Sequence, residues 1–194
     1  MSRRAKIQRK TRETDITLEL VLDGTGRTDI ATGIGFLDHM LTALAFHAGW
    51  DLSLACKGDL EVDDHHTAED CALALGQAYD EALGDRAGIE RFGWAMVPLD
   101  EALGRAVVDL ATRPFCAVDL GLRREMLGAL ACENLVHVVR SFATTGRFCL
   151  HLDVLAGEND HHRAEAAFKS LARALRLASA PTVASAPPST KGVL

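Results

Sequence analysis

The chain has 194 residues, 48% of them hydrophobic, which is enough for the packed core of one ordinary domain or two small ones. Its 27 acidic and 21 basic residues give a formal net charge of −6, which argues against electrostatic binding to nucleic acid or to anionic membranes. No apolar run reaches the roughly 20 residues of a membrane helix, and the charged N-terminus lacks the apolar segment of a signal peptide, so we expect a cytoplasmic protein without membrane contact.

The first half of the chain predicts strands, a helix, a strand and a helix, in that order. Apolar and polar residues alternate over 6–23, as in half-buried strands. Apolar residues at helical spacing predict a first helix over 36–46, which Gly49 ends. A strand over 51–57 and a helix over 65–82 follow, the latter ended by Gly84.

The second half repeats this order. The same patterns predict strands over 92–98, 105–110 and 115–120, a helix over 133–144, a strand over 148–155 and a helix from 161 onward. This repetition predicts an internally duplicated α+β fold, two similar halves each with a β-sheet covered by helices on one face. We place the first half at 1–84 and the second at 85–180, and the Pro-, Ser- and Ala-rich composition of 181–194 by itself predicts a flexible tail.

One polar phrase occurs twice, as DHHTAE at 64–69 and DHHRAE at 160–165. Residues four apart on a helix share a face, so the first histidine and the glutamate of each phrase can hold one metal ion together. The second histidine is rotated by about 100° around the helix axis and should reach a different ion. The aspartate that opens each phrase is typical of a helix N-cap, which needs no metal to explain it.

The duplication predicts two equivalent metal centres. If a pseudo-twofold axis relates the halves, one half contributes its His-x-x-x-Glu pair to each centre and the other half contributes its second histidine. His39 and His137, which match each other in the preceding helices, would bring each centre to three histidines and one glutamate. The predicted ligands are His39, His65, His66, Glu69, His137, His161, His162 and Glu165.

These residue types are poor core residues unless they are paired or ligated, so packing alone does not explain them. Imidazole and carboxylate without thiolate fit manganese, iron, nickel or zinc; open octahedral positions favour manganese or iron, with zinc as the second choice. The order differs from the His-Glu-x-x-His of zinc proteases. His47 and His151 have no matching partners, which leaves core or surface roles open for them.

The chain resembles the imidazoleglycerol-phosphate dehydratase family over nearly its whole length. The resemblance rests on several long motifs that occur in the family's order, at 12–14, 33–41, 64–70, 159–169 and 188–192. It implies a manganese enzyme of histidine biosynthesis that converts imidazole glycerol phosphate to imidazole acetol phosphate and water. It also implies duplicated α+β halves and assembly into a 24-subunit shell with sites between subunits.

The resemblance also implies roles for single residues. One Mn²⁺ would be held by His39, His66, His161 and Glu165, and a second Mn²⁺ in the same active site by His65, Glu69, His137 and His162. The imidazolate ring of the substrate would bridge the two ions. Glu13, expected on the first strand and without a counterpart in the second half, would be the catalytic base.

The phosphate of the substrate would be bound by Arg91, Arg113, Ser189 and Lys191, which makes the tail an ordered substrate-binding segment, and His47 would be a further substrate contact. One departure concerns the sequence Ala-Thr-Arg-Pro at 111–114, where the family has a Ser-Gly-Arg-Pro type of run, and it leaves the shape of this loop in question. A metal-storage protein and a different dinuclear hydrolase are the alternatives; neither needs convergent cations for a phosphate monoester together with an imidazole-binding site.

Overall fold

A computed structural model describes residues 3–183 and 186–191. The first half comprises β1 (Arg4–Lys10), β2 (Thr14–Val21), β3 (Thr28–Ala31), α1 (Gly35–Ala48), β4 (Asp51–Gly58) and α2 (His65–Leu83). The second half comprises β5 (Phe92–Leu99), β6 (Ala102–Asp109), β7 (Phe115–Asp119), β8 (Met126–Leu127), β9 (Leu130–Ala131), α3 (Cys132–Thr145), β10 (Cys149–Ala156) and α4 (Asp160–Ala178).

The two halves have sheets of the same topology. The strand orders are β1-β2-β4-β3 and β5-β6-β10-β7, so in each sheet the last strand is inserted between the second and the third. In both cases this inserted strand is antiparallel to the second strand and parallel to the third. The internally duplicated α+β class is therefore confirmed, while the division at residues 84 and 180 stays a prediction.

The helices form a layer between the two sheets. In the first half α2 packs on β1 and β2, and α1 packs on β3; in the second half α4 packs on β5 and β6, and α3 packs on β7. Helices of different halves also pack on each other, α1 on α4 and α2 on α3. Residues that are distant in sequence therefore meet where the helices of the two halves face each other.

Two glycines let α4 lie unusually close to the second sheet. A Cβ atom on Gly93 would lie 2.0 Å from the carbonyl oxygen of Ala174, and one on Gly104 would lie 2.5 Å from the carbonyl oxygen of Ala166. Such distances are far below van der Waals contact, so a side chain at either position would push the helix away from the sheet. This close packing fixes the position of the helix that begins with the second polar phrase.

Two short pieces of structure were not predicted. The strand β3 has four residues, and β8 and β9 form a hairpin with two residues in each strand. Such segments are too short to show a periodic pattern, and β3 exists because it pairs with β4.

The prediction that the aspartates of the two phrases are helix N-caps is confirmed in position for Asp64 and is wrong for Asp160. Asp64 occupies the N-cap position of α2 but makes no capping hydrogen bond, and the N-cap of α4 is Asn159. The backbone N–H of His65 donates to Asp63, and that of His161 donates to Asn159. The carboxylates of Asp64 and Asp160 instead accept hydrogen bonds from segments near α3.

Candidate functional site

The first cluster of predicted ligands lies between α1 and α4. The Nε2 atoms of His39 and His161 each lie 3.2 Å from the Oε2 atom of Glu165. Phe36 packs edge-on against the ring of His161, with a centroid distance of 5.2 Å. Two of the three ligands therefore come from the second half, and the third comes from the first half.

The second cluster lies between α2 and α3 and mirrors the first. The Nε2 atom of His137 lies 2.9 Å from Oε1 of Glu69, and the Nε2 atom of His65 lies 3.9 Å from Oε2 of the same carboxylate. The rings of His65 and His137 are stacked at a centroid distance of 5.0 Å. In each cluster, one nitrogen or oxygen atom per residue lies within 4.8 Å of those of the other two.

The second histidine of each phrase lies apart from these clusters within one chain. The Nδ1 atom of His66 lies 3.0 Å from a carboxylate oxygen of Asp59, and the Nδ1 atom of His162 lies 2.8 Å from one of Glu101. These hydrogen bonds raise the pKa of both histidines. The expectation that a pseudo-twofold within the chain would bring these histidines to the opposite pairs is not met, because each faces a turn of its own sheet.

Glu13 lies in the turn between β1 and β2, immediately before β2, rather than on the first strand. Its carboxylate is 3.8 Å from the Nε2 atom of His66. The second half has a counterpart, contrary to expectation: in the turn between β5 and β6, the carboxylate of Asp100 lies 3.8 Å from the Nε2 atom of His162. Each of these histidines therefore has one carboxylate at Nδ1 and a second near Nε2.

The four predicted phosphate-binding residues line one cavity of about 330 Å³. Its lining consists of Arg91, Ala111, Thr112, Arg113, Ser189, Thr190 and Lys191. Arg91 donates to both oxygens of Asp109, at 2.7 and 3.2 Å, and to the carbonyl oxygen of Pro188, at 2.8 Å. The same guanidinium group therefore belongs to the cavity and holds the C-terminal tail in place.

The loop that departs from the family pattern has a left-handed residue. Thr112 has φ = 58° and stands where the family pattern has glycine. Glycine adopts this conformation without steric cost, whereas a β-branched residue does so only when its surroundings hold it there. The backbone N–H of Arg113 donates to the carbonyl oxygen of Ala111 at 2.8 Å, which keeps the loop tight.

His47 lies near the C-terminal end of α1, and the structure brings it close to Lys169 rather than into the cavity described above. Burial, followed by the positive charge of Lys169, lowers the pKa of His47. Lys169 itself lies 2.7 Å from Oε1 of Glu165. Burial raises the pKa of Glu165, but the hydrogen bonds from Lys169 and His39 outweigh it and lower that pKa to about 2.

Lys169 was not among the predicted site residues. The sequence contains a usable signal, because Lys169 follows Glu165 by one helical turn and ends the family motif at 159–169.

The fold and site define a class of duplicated α+β proteins in which helices of both halves build two His/Glu clusters. The model of the imidazoleglycerol-phosphate dehydratase family matches residues 32–175. An imidazoleglycerol-phosphate dehydratase from Candida glabrata is 54% identical, and the match covers 98% of this chain and 99% of that protein. One from Phytophthora nicotianae is 58% identical over 99% of this chain, which spans 42% of that protein's length.

A crystal structure of imidazoleglycerol-phosphate dehydratase from Staphylococcus aureus superimposes with a TM-score of 0.83 at 34% identity, covering 92% of this chain and 99% of that chain. The chain belongs to the imidazoleglycerol-phosphate dehydratase family and is an enzyme, a dehydratase of histidine biosynthesis. None of the helices in the described part of the chain combines the length and apolarity that crossing a bilayer requires.

Proposed function

We propose that this enzyme converts imidazole glycerol phosphate to imidazole acetol phosphate and water with a dinuclear manganese site that binds the imidazolate ring. The observation that carries the proposal is the pair of matched clusters, each with two imidazole nitrogens and one carboxylate. A cavity lined by cationic side chains accompanies them, as a phosphate monoester requires.

The donor set fits manganese. Imidazole and carboxylate groups without thiolate suit divalent ions of intermediate hardness, and three ligands leave positions open on an octahedral ion. His39, His161 and Glu165 would hold one ion, and His65, Glu69 and His137 would hold the other. When bound, the two ions would supply Lewis-acid stabilisation of the negative charge on the imidazolate ring.

The fourth ligand of each ion would come from a neighbouring subunit. His66 and His162 lie outside the two His/Glu clusters of their own chain, and both are partly exposed; His162 instead groups with Asp100 and Glu101. Because a carboxylate accepts a hydrogen bond from the Nδ1 atom of each, the Nε2 lone pair is available to an ion. We propose that His66 completes the centre of His161, and His162 the centre of His65, across subunit contacts of a 24-subunit homo-oligomer.

The chain's own residues would then perform two tasks. Arg91, Arg113, Ser189 and Lys191 would bind the phosphate and position the substrate, with His47 as a further contact. Glu13 would take the carbon-bound proton. Its carboxylate is half-exposed. Among the described residues, it belongs to no group of candidate metal ligands, so it can act as a base.

We propose the cytoplasm as the compartment, because the five cysteines are free thiols and suit a reducing environment.

The test is turnover by the purified protein. Metal-free protein should gain two Mn²⁺ per chain and then form the ketone product from imidazole glycerol phosphate, which can be followed by mass spectrometry. The Zn²⁺-loaded protein serves as the comparison and should be less active. Binding of Mn²⁺ without any turnover would favour a storage protein and contradict the proposal.

A further inference from the structure

The two clusters differ in what holds their histidines. The Nδ1 atom of His65 lies 2.8 Å from Oδ1 of Asn134, and Nδ2 of Asn134 donates to Asp64 at 2.9 Å. Position 36 in α1 corresponds to position 134 in α3, since each precedes the matched histidine of its helix by three residues. In the first half the residue at this position is Phe36, which packs against the ring of His161 and cannot form a hydrogen bond with it.

The hydrogen bonds determine which nitrogen of His65 carries the proton. A carboxylate only accepts hydrogen bonds, so the NH₂ group of Asn134 must face Asp64 and its oxygen must face His65. The Nδ1 atom of His65 must therefore be an N–H donor, and its Nε2 atom carries the lone pair. That Nε2 atom points toward Glu69 in the cluster.

The chain of hydrogen bonds is well anchored. The second oxygen of Asp64 accepts from the backbone N–H of Ala131, at 2.6 Å, which lies just before α3. Asn134 is buried, with 7% of its surface exposed, so water does not compete for its amide. A buried amide with both ends bonded holds the imidazole in one tautomer and one orientation.

We propose that Asn134, oriented by Asp64, is a positioning residue that fixes His65 in the metal-binding tautomer and makes its centre different from the His161 centre. The inference rests on the proposed metal function. Among the described residues, no hydrogen bond reaches the Nδ1 atom of His161, and its ring is held by the contact of Nε2 with Glu165 and by packing against Phe36. The Mn²⁺ affinity of the His65 centre should therefore depend on the orientation of the Asn134 amide, and the affinity of the His161 centre should not.

The sharpest test is Asp64→Asn, which changes no atom of the cluster. The backbone N–H of Ala131 still needs an acceptor, so the new amide turns its oxygen to that group and its NH₂ to Asn134. Asn134 must then flip and present its NH₂ to His65, which forces the proton onto Nε2. We expect Mn²⁺ affinity, measured by calorimetry on metal-free protein, to fall about 10- to 100-fold at one of two sites.

The double variant Asp64→Asn/Asn134→Asp should restore the affinity. It exchanges the two side chains, and every donor again faces an acceptor: the new amide donates to the new carboxylate, which accepts from Nδ1 of His65. The net charge also returns to that of the wild type. A role of Asp64 that was merely structural would not predict this rescue.

Asp160→Asn is the matched control. Asp160 occupies the corresponding place in the second phrase, but among the described residues its carboxylate accepts only from the backbone N–H groups of Arg123 and Arg124. The variant loses the same charge at a helix N-terminus, so the affinity of both sites should remain at the wild-type value. Melting curves of all variants check that they fold.

If the wild type binds two Mn²⁺ and Asp64→Asn binds them with the same affinity, this inference is overturned and the proposed function stays intact. A loss in Asp64→Asn that the double variant does not restore would overturn it as well. A wild-type protein that binds no Mn²⁺ would instead overturn the proposed function, and the inference with it.

Discussion

At the scale of single residues, His66 and His162 have matched surroundings. Each has a hydrogen-bonding carboxylate at Nδ1, Asp59 in one case and Glu101 in the other. A second carboxylate lies 3.8 Å from each Nε2 atom, that of Glu13 or of Asp100. The scaffold therefore offers two candidate bases at related positions, whereas the proposed reaction needs one.

Replacing Glu13 by Gln tests whether Glu13 or Asp100 is the base that takes the carbon-bound proton. The substitution keeps size and hydrogen bonding but removes the proton acceptor, so kcat should fall by roughly 10²- to 10⁴-fold, as is typical of lost general-base catalysis. Manganese content and assembly should be unchanged. Asp100→Asn is the matched control and should have a small effect; if it lowers kcat as strongly as Glu13→Gln, the assignment of the base is wrong.

Asp51 provides a pH-dependent contribution to stability outside the site. Hydrogen bonds from the backbone of Thr25, and from the side chain and backbone of Arg27, lower the pKa of Asp51 well below its ordinary value of 3.8. A lowered pKa in the folded state means that this contribution is fully present above the ordinary value and is lost as the pH falls toward the folded-state value.

Asp51→Asn should therefore flatten the acid side of the stability profile. Melting temperatures of metal-free protein between about pH 5 and pH 2 should fall less steeply in the variant than in the wild type. Glu61→Gln serves as the control, since Glu61 is exposed and makes no hydrogen bond in the described part of the chain. Equal slopes in Asp51→Asn and the wild type would contradict the prediction.

At the scale of elements, the C-terminal segment is tied to the second sheet in spite of its composition. Arg91 donates to the carbonyl oxygen of Pro188, and Ser189 and Lys191 line the same cavity as Arg113. Arg91, which immediately precedes β5, thus joins the tail to the second sheet. That the tail is an ordered substrate-binding segment stays a prediction, and residues 184–185 and 192–194 lie outside the described range.

Deleting residues 189–194 should raise KM for the phosphate substrate by roughly tenfold or more, since charge-assisted hydrogen bonds to the phosphate are lost. Manganese stoichiometry should not change, because the ligand clusters lie on α1 to α4. A chain that ends after Lys191 is the control and should keep a near-normal KM. An unchanged KM in the shorter variant would remove the tail from the proposed phosphate site.

At the scale of the whole molecule, the outer faces of the two sheets differ in character. On the first sheet, Lys6 pairs with Glu19, and Lys10 pairs with Asp15, across adjacent strands. The second sheet exposes large apolar side chains, namely Phe92, Trp94, Met96, Val107 and Phe115, with exposures of 45% to 66%. A face of this kind is typical of a protein–protein contact, and it supports the proposed homo-oligomer.

Trp94→Glu should therefore reduce the size of the assembly. A charge in the centre of an apolar contact costs several kcal/mol when it is buried without a partner, so light scattering should detect smaller particles. Thr17→Glu is the control, because Thr17 is exposed on the polar outer face of the first sheet. Loss of assembly in both variants, or in neither, would contradict the assignment of this face.

The sequence by itself determined the duplication, the main strands and helices, and the pairing of His65 with Glu69 and of His161 with Glu165. These features follow from local geometry, because the 3.6-residue period of a helix places residues four apart on one face. The family could also be recognised, since its motifs are contiguous stretches of sequence.

Only the tertiary structure decided which residues join across the halves. His39 meets Glu165 across 126 residues and His137 meets Glu69 across 68, because α1 packs on α4 and α2 packs on α3. The link from Asp64 through Asn134 to His65 has the same origin. No local period encodes such contacts; they arise when two sheets bury the apolar faces of their helices against each other.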